Sequence, residues 1–118
     1  MDSLLTFIKT DKADTNKVNH LNSICEQLLK KNIDSAFIIC NQSLKLAEEL
    51  KWEKGIASTY KLLSNYYYYK ADYNKALENS FKGLKIDEGI GNKNGAAVHF
   101  GNIGLLYWKQ GEYQRALY

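Results

Sequence analysis

The 118-residue chain contains no proline, so no helix in it is broken by a pyrrolidine ring. Turns between helices must then be set by glycine, asparagine and aspartate. Cysteine is almost as scarce. Cys25 and Cys40 show no CxxC spacing, which speaks against a zinc site. If the chain is exported, the two could pair as a disulfide once their Cα atoms come within about 7 Å. Otherwise both read as small buried apolar residues where the first hairpin packs. The two histidines, His20 and His99, have no carboxylate at ligand spacing. No acid–base pair, nucleophile or metal set emerges, so no catalytic residue, metal ligand or cofactor is assigned and an enzyme is not expected. Gly89-Ile90-Gly91 with Gly95 superficially resembles a phosphate-cradling loop. Such loops follow a strand, whereas here the preceding segment has helical periodicity, and an inter-helix turn is the better reading.

Long apolar runs are missing too. No stretch approaches the roughly 20 residues of a membrane helix, so this segment is expected to make no membrane contact. Asp2 stands where a signal peptide needs a base, and Leu4 to Ile8 is too short an apolar region. The chain as read is cytoplasmic, with the periplasm as the alternative if it derives from an exported sensor. One-sided charge is also absent: the net charge is +3, lysines alternate with acids, and the longest basic cluster is Lys30-Lys31. That distribution gives no basic stripe for nucleic acid.

What the chain does have is an internal echo. Gly55-Ile56-Ala57, Tyr60, Leu63-Ser64, Tyr67-Tyr68 and Ala71-Asp72-Tyr73-Asn74-Lys75-Ala76-Leu77 return 40 positions later. There they read Gly95-Ala96-Ala97, Phe100, Ile103-Gly104, Tyr107-Trp108 and Gly111-Glu112-Tyr113-Gln114-Arg115-Ala116-Leu117. Ala36, Leu44 and Glu48 likewise precede Ala76, Leu84 and Glu88 by 40. A fixed period in this range signals stacked units, none of which can bury its apolar face alone. Apolar residues at three-and-four spacing predict helices from about 16 to 31, 34 to 50, 54 to 70, 73 to 88 and 95 to 109, with one more opening at Gly111-Glu112. The chain therefore divides into a short N-terminal helix and linker, 1–15, and a repeat domain, 16–118. Its units span about 16–53, 54–93 and a truncated 94–118.

The pattern Ile103-Gly104, Tyr107, Gly111-Glu112-Tyr113, Ala116-Leu117 resembles the tetratricopeptide repeat (TPR). Leu63-Ser64, Tyr67, Ala71-Asp72-Tyr73, Ala76-Leu77 and Gly83-Leu84 repeat the likeness. Ile24-Cys25, Leu28, Ile33 and Ala36 do so more weakly, one residue shorter across the turn. The common repeat is 34 residues long and usually ends in proline. The 40-residue, proline-free form is similar to the longer-helix subtype of polarity adaptors, peptide-responsive bacterial regulators and the sensor segments of bacterial histidine kinases. The opening residues are most similar to the kinase group. The resemblance implies an all-α fold, a right-handed superhelix of antiparallel helix pairs (a TPR-like α-solenoid) of about two and a half repeats. It also implies a protein- or peptide-binding scaffold, the sensory or partner-recognition fragment of a bacterial signalling protein, working in signal transduction.

Packing accounts for the repeated residues. Ala36, Ala76 and Ala116 face Cys25, Ser64 and Gly104 where paired helices approach most closely. Tyr67 and Tyr107 fill the space toward the next helix, and Tyr73 and Tyr113 plug the turns. Binding must come from what packing leaves over. On the helices expected to line a concave groove these are Lys61, Asn65, Tyr68, Tyr69, Asn102, Leu105 and Trp108. Tyr68 and Trp108 share a register and either anchor a peptide as rigid aromatics or pack against neighbouring helices. Lys61, Asn65 and Asn102 match three positions that chaperone-binding members of the family use to clamp a C-terminal carboxylate. The alternatives to a peptide scaffold are such a clamp and a self-association module, a homodimer through the truncated third unit.

Overall fold

The structure, a computed structural model, describes residues 14–116, with side chains described through residue 115. It contains α1 (Thr15–Leu28), α2 (Ile33–Glu49), α3 (Glu53–Tyr69), α4 (Tyr73–Gly89) and α5 (Lys93–Ala116), with no strand among the described residues. The expected helix near Leu4 to Ile8 lies outside the described residues, as do Leu117, Tyr118 and the side chain of Ala116. No helix among the described residues is long and apolar enough to cross a membrane.

Helix length follows from where the turns fall. α2, α3 and α4 each have 17 residues. They end where Lys51, Ala71 and Gly91 take positive φ of 55°, 59° and 73°, a spacing of 20 residues. At each turn the next N–H reaches five residues back: Trp52 to Ala47 O at 3.0 Å, Asp72 to Tyr67 O at 2.9 Å, Asn92 to Asp87 O at 2.8 Å. This left-handed residue followed by a long-reach bond is the Schellman closure, which satisfies carbonyls the helix would otherwise leave orphaned. The following residue then caps the next helix. The side chains of Asn32, Asp72 and Asn92 accept from the N–H groups of Ser35, Lys75 and Gly95 at 3.1, 3.2 and 3.3 Å. Trp52 occupies the equivalent place without a cap bond. Its indole lies where a Cβ on Gly55 would be, so glycine is required there.

The next turn in this series would fall at Gly111, where a new helix was expected. Instead α5 runs unbroken for 24 residues. A glycine inside a helix costs about 1 kcal/mol relative to alanine, and three contacts offset that cost. The Tyr113 ring meets Tyr73 edge-on at 6.3 Å. Gln110 Nε2 donates to Asn74 Oδ1 at 2.7 Å, and Lys109 pairs with Glu112 at 3.8 Å. Through Ala116 the third unit is therefore one unbroken helix, and Tyr113 lies 56% exposed along it rather than plugging a turn.

Each helix packs on its sequence neighbour, and α1, α3 and α5 also touch in succession. The body measures 55 × 33 × 19 Å, and its least dimension is about two helix diameters. Within each pair the backbones meet at small residues. Ser64 Oγ donates to the Ala76 carbonyl at 2.8 Å and lies 2.6 Å from Ser80 Oγ, with Ala76 fully buried. In the first pair Cys25 Sγ sits 3.4 Å from the Ala36 carbonyl oxygen, and Cys25 is disulfide-bonded to Cys40 across a Cα separation of 5.6 Å. Cys25–Cys40 and Ser64–Ser80 thus fill the same slot in successive hairpins. Around these crossings Leu29, Leu62 and Leu63 build one core, and Leu77, Leu84, Ile103 and Leu106 another.

Two outcomes follow from the turns and the slot. Replacing both cysteines by serine should give a folded protein carrying the Ser64–Ser80 chemistry in both hairpins. It should be about 3 kcal/mol less stable, the loop-closure contribution of a bond spanning 15 residues, as read by urea denaturation. By the same assay Ala71→Gly should raise stability by up to about 1 kcal/mol, since alanine there holds a left-handed conformation that glycine adopts freely.

Candidate functional site

Two connected clefts cross the face formed by α1, α3 and α5. One, of about 200 Å³, is lined by Ser64, Asn65, Tyr68 and Tyr69 of α3 and by Asn102, Leu105 and Leu106 of α5. The other, of about 590 Å³, is lined by Glu26 and Gln27 of α1, by Leu29, Lys30 and Lys31 in the turn that follows, and by Asn65 and Tyr69. Asn65 and Tyr69 line both, so the clefts form one groove running across three helices. The residues come together through helical spacing. Asn65, Tyr68 and Tyr69 stand at i, i+3 and i+4 on α3, and Asn102, Leu105 and Leu106 do so on α5. Leu62, Leu63 and Ile103 are buried behind them, which turns the polar edges outward. Among the described residues no hydrogen bond engages the side-chain amide of Asn65 or Asn102. Each is only partly exposed, so each presents a donor and an acceptor at the groove wall.

Of the seven groove residues expected from the sequence, Asn65, Tyr68, Tyr69, Asn102 and Leu105 line this cleft and two do not. Trp108 stands 54% exposed outside it with the Lys109 ammonium 5.2 Å from its ring. The Tyr68 ring pairs with Tyr69 and Tyr73, at 5.6 and 6.2 Å, rather than with Trp108. Lys61 is half-buried and acts on His99 instead. A clamp of Lys61, Asn65 and Asn102 therefore does not form as one lining. Of the packing residues, Cys25, Ala36, Ser64 and Ala76 are buried, Tyr73 is half-buried, and Tyr67 is half-buried edge-on to Phe37 at 6.2 Å. Gly104 and Tyr107 are exposed, because among the described residues no helix covers their side of α5. The sequence reading missed Gln27, Lys30 and Lys31 as groove residues. Their signal, a basic helix end, is shared by any solvated turn, and only the approach of Tyr69 gives it a second wall.

A second feature lies between α4 and α5. His99 Nε2 is 3.1 Å from Asp87 Oδ2, with the two side chains 2% and 4% exposed. The carboxylate that sequence spacing failed to supply comes from the helix before. Gly83 and Gly95 make room for the pair: a Cβ on the first would overlap the His99 ring, and one on the second the Asp87 carboxylate. Asn92 Nδ2 donates to Asp87 Oδ1 at 3.1 Å, while His99 Nδ1 is buried with no hydrogen-bond partner. Burial holds His99 below the ordinary histidine range. Asp87 opposes that shift through charge and hydrogen bonding, and the Lys61 charge adds to it. His99 is thus neutral at neutral pH and donates Nε2–H to Asp87. The same level of the preceding unit holds Ser43, Ala47 and Thr59, where Ser43 Oγ and Thr59 Oγ1 both donate to Asn22 Oδ1, at 2.6 and 3.0 Å. Both arrangements are interhelix polar contacts, and the cleft beside the second, lined by Asp87, Asn92 and Ala96, does not count His99 among its lining residues. Among the described residues no group of His, Cys, Asp and Glu could hold a metal ion.

No protein-family model, curated protein or solved structure matches the chain.

Because the folded-state pKa of His99 is lowered, the unfolded chain takes up its proton first as pH falls. The contribution of the pair is fully present above about pH 6.5, the unfolded histidine value, and is lost as pH drops through the folded one. Urea midpoints should therefore fall between pH 7 and pH 5. Installing the previous level by Gly83→Ser, Asp87→Ala and His99→Thr should flatten that profile.

Proposed function

We propose that the chain is a peptide-binding scaffold of the tetratricopeptide kind, its helix pairs wound into a right-handed solenoid. It would serve as the partner-recognition segment of a bacterial signalling protein. The reading rests on the groove across α1, α3 and α5. Two uncommitted amides, Asn65 and Asn102, stand among Tyr68, Tyr69, Leu105 and Leu106, with Lys30, Lys31 and Glu26 at one end. Side-chain amides can pair with the N–H and C=O of an extended peptide, while tyrosines offer contact area at low entropic cost. An elongated groove of this kind suits a linear segment better than a compact metabolite. Recognition then occurs on a preformed surface, with the helices behind it held by the small-residue crossings. Of the two compartments, the Cys25–Cys40 bond favours the oxidising one, since cytosolic thiols are ordinarily kept reduced.

The test is selection of a displayed random-peptide library on the immobilised chain, followed by fluorescence anisotropy with the recovered peptides. Two lost hydrogen bonds at about 0.5–1.5 kcal/mol each correspond to roughly five- to hundredfold weaker binding for the Asn65→Ala, Asn102→Ala double variant. Recovery of no saturable peptide, or equal affinity for the variant, would rule the groove out.

A further inference from the structure

The buried His99–Asp87 pair lies one helical turn from residues that line the groove. On α5 Asn102 follows His99 by three positions, and on α3 Ser64 and Asn65 follow Lys61 by three and four. Lys61 is the charge that reaches His99 from α3, and Asp87 the one that reaches it from α4, the two helices on which α5 packs. These three groups connect the walls of the cleft between α3 and α5 by way of α4, beneath the lining.

The width of that cleft depends on how α5 is seated. α5 lies mainly against α4 and only lightly against α3, so α4 sets the distance between the walls. Leu77 and Leu84 of α4 share one apolar core with Ala96, Ile103 and Leu106 of α5. The pair interrupts this seam, with Ala96 and Ile103 one turn to either side of His99 and Leu84 one turn before Asp87. Leu106 belongs both to the seam and to the lining of the cleft. A shift of α5 at His99 is therefore felt at the groove wall, because close-packed interiors transmit strain.

Proton uptake supplies such a shift. The neutral ring donates Nε2–H to Asp87, and its Nδ1 is buried with no hydrogen-bond partner. A proton from solvent therefore enters at Nδ1. There it creates a buried N–H donor without an acceptor, on a ring whose new charge faces Lys61. Asp87 is already engaged through both oxygens, Oδ2 with His99 Nε2 and Oδ1 with the Asn92 amide. A donor that stays dry and unpaired is costlier than one that reaches water. The charged ring thus favours an arrangement in which α5 has moved far enough to hydrate Nδ1.

We propose that protonation of His99 opens the cleft between α3 and α5, so that the groove captures a peptide only while the pair is neutral. Asn65 and Asn102 then stand too far apart to engage one peptide together. By reciprocity, a bound peptide holds His99 in its neutral form. The effect on binding rests on the peptide reading of the groove, whereas the coupling of His99 to the groove wall does not.

NMR of the isotopically labelled full chain, titrated from pH 7.5 to pH 5, tests the coupling without a ligand. The side-chain amide signals of Asn65 and Asn102 should move with the midpoint of the His99 ring signals. That of Asn41, bonded to the Phe37 carbonyl on α2, should not. In the Gly83→Ser, Asp87→Ala, His99→Thr variant, which carries the polar level of the preceding unit, both groove signals should stay still. Histidine-free peptides selected on the groove at pH 7.5 should bind the unmodified chain at least fivefold more weakly at pH 5.5. The variant should bind them equally at both values. Groove signals that stay still in the unmodified chain, or that move with a midpoint other than that of His99, overturn the proposal. So does loss of all dispersed signals at the His99 midpoint, which would make the transition global unfolding. Equal peptide affinity of the unmodified chain at the two pH values overturns it as well. If no peptide is recovered, the peptide reading fails and the amide signals alone decide the coupling.

Discussion

The close crossing of paired helices is the constraint on which the rest of the structure depends. Ser64 reaches the Ala76 carbonyl across the hairpin at 2.8 Å, and Ser80 adds a second hydroxyl at 2.6 Å. That separation is available only if no side chain larger than serine or cysteine stands between the backbones. Once Ser64, Ala76 and Ser80 are fixed, the larger residues on either side have determined places. Leu62 and Leu63 fall into one core, Leu77 and Leu84 into the next. The Cys25–Cys40 bond secures the same approach covalently, where Ser64 and Ser80 do so by hydrogen bonding. The first hairpin is the one whose crossing carries a covalent tie.

Crossings of this kind set the spacing within pairs, but the contacts between pairs are free to differ. Ser43, Ala47 and Thr59 form a neutral cluster with Asn22, and at the next level Gly83, Asp87 and His99 form a buried acid–imidazole contact. The exchange is concerted. His99 needs Gly83, and Asp87 needs Gly95, because a methyl group at either glycine would occupy the space of the polar partner. The pair also carries an uncompensated cost, the buried Nδ1 of His99. Its stability falls as pH drops below the ordinary histidine range, because burial lowers the folded-state pKa of His99.

The helices expected between residues 16 and 109 and most of their boundaries were legible in the sequence because they rest on local signals, apolar spacing and the Asn32, Asp72 and Asn92 caps, whereas the helix expected to open at Gly111 does not form. Ala36, Ala76, Cys25 and Ser64 were legible because the repeat brings them back in register. The continuation of α5 through Gly111 was not. Gly111 has the residue type of a turn, and what overrides it is a tertiary set, Tyr73 with Tyr113 and Asn74 with Gln110, between residues 36 to 40 apart. Lys61 is not among the residues that line the cleft, for a related reason. Helical spacing puts it on the groove-forming helix, but it is half-buried and its charge acts on His99 of α5, which only the packing of the helices reveals. Lys30 and Lys31 entered the groove through the approach of Tyr69, which no local pattern announces.

The two surfaces of α5 show why mismatches between copies carry more functional information than the repeat itself. On the groove side Asn65 is followed 40 residues later by Leu105, so the register is kept while the chemistry changes along the groove. A linear ligand lying across the helices would therefore meet a different environment at each step, which is what discrimination between sequences requires. On the outer side the opposite holds. Phe100 and Tyr107 preserve the aromatic character of Tyr60 and Tyr67, and Glu88 preserves Glu48, so the chemistry is retained although the covering helix is absent among the described residues. Variation on the groove side and repetition on the outer side are two patterns a single helix can carry at once, and α5 carries both.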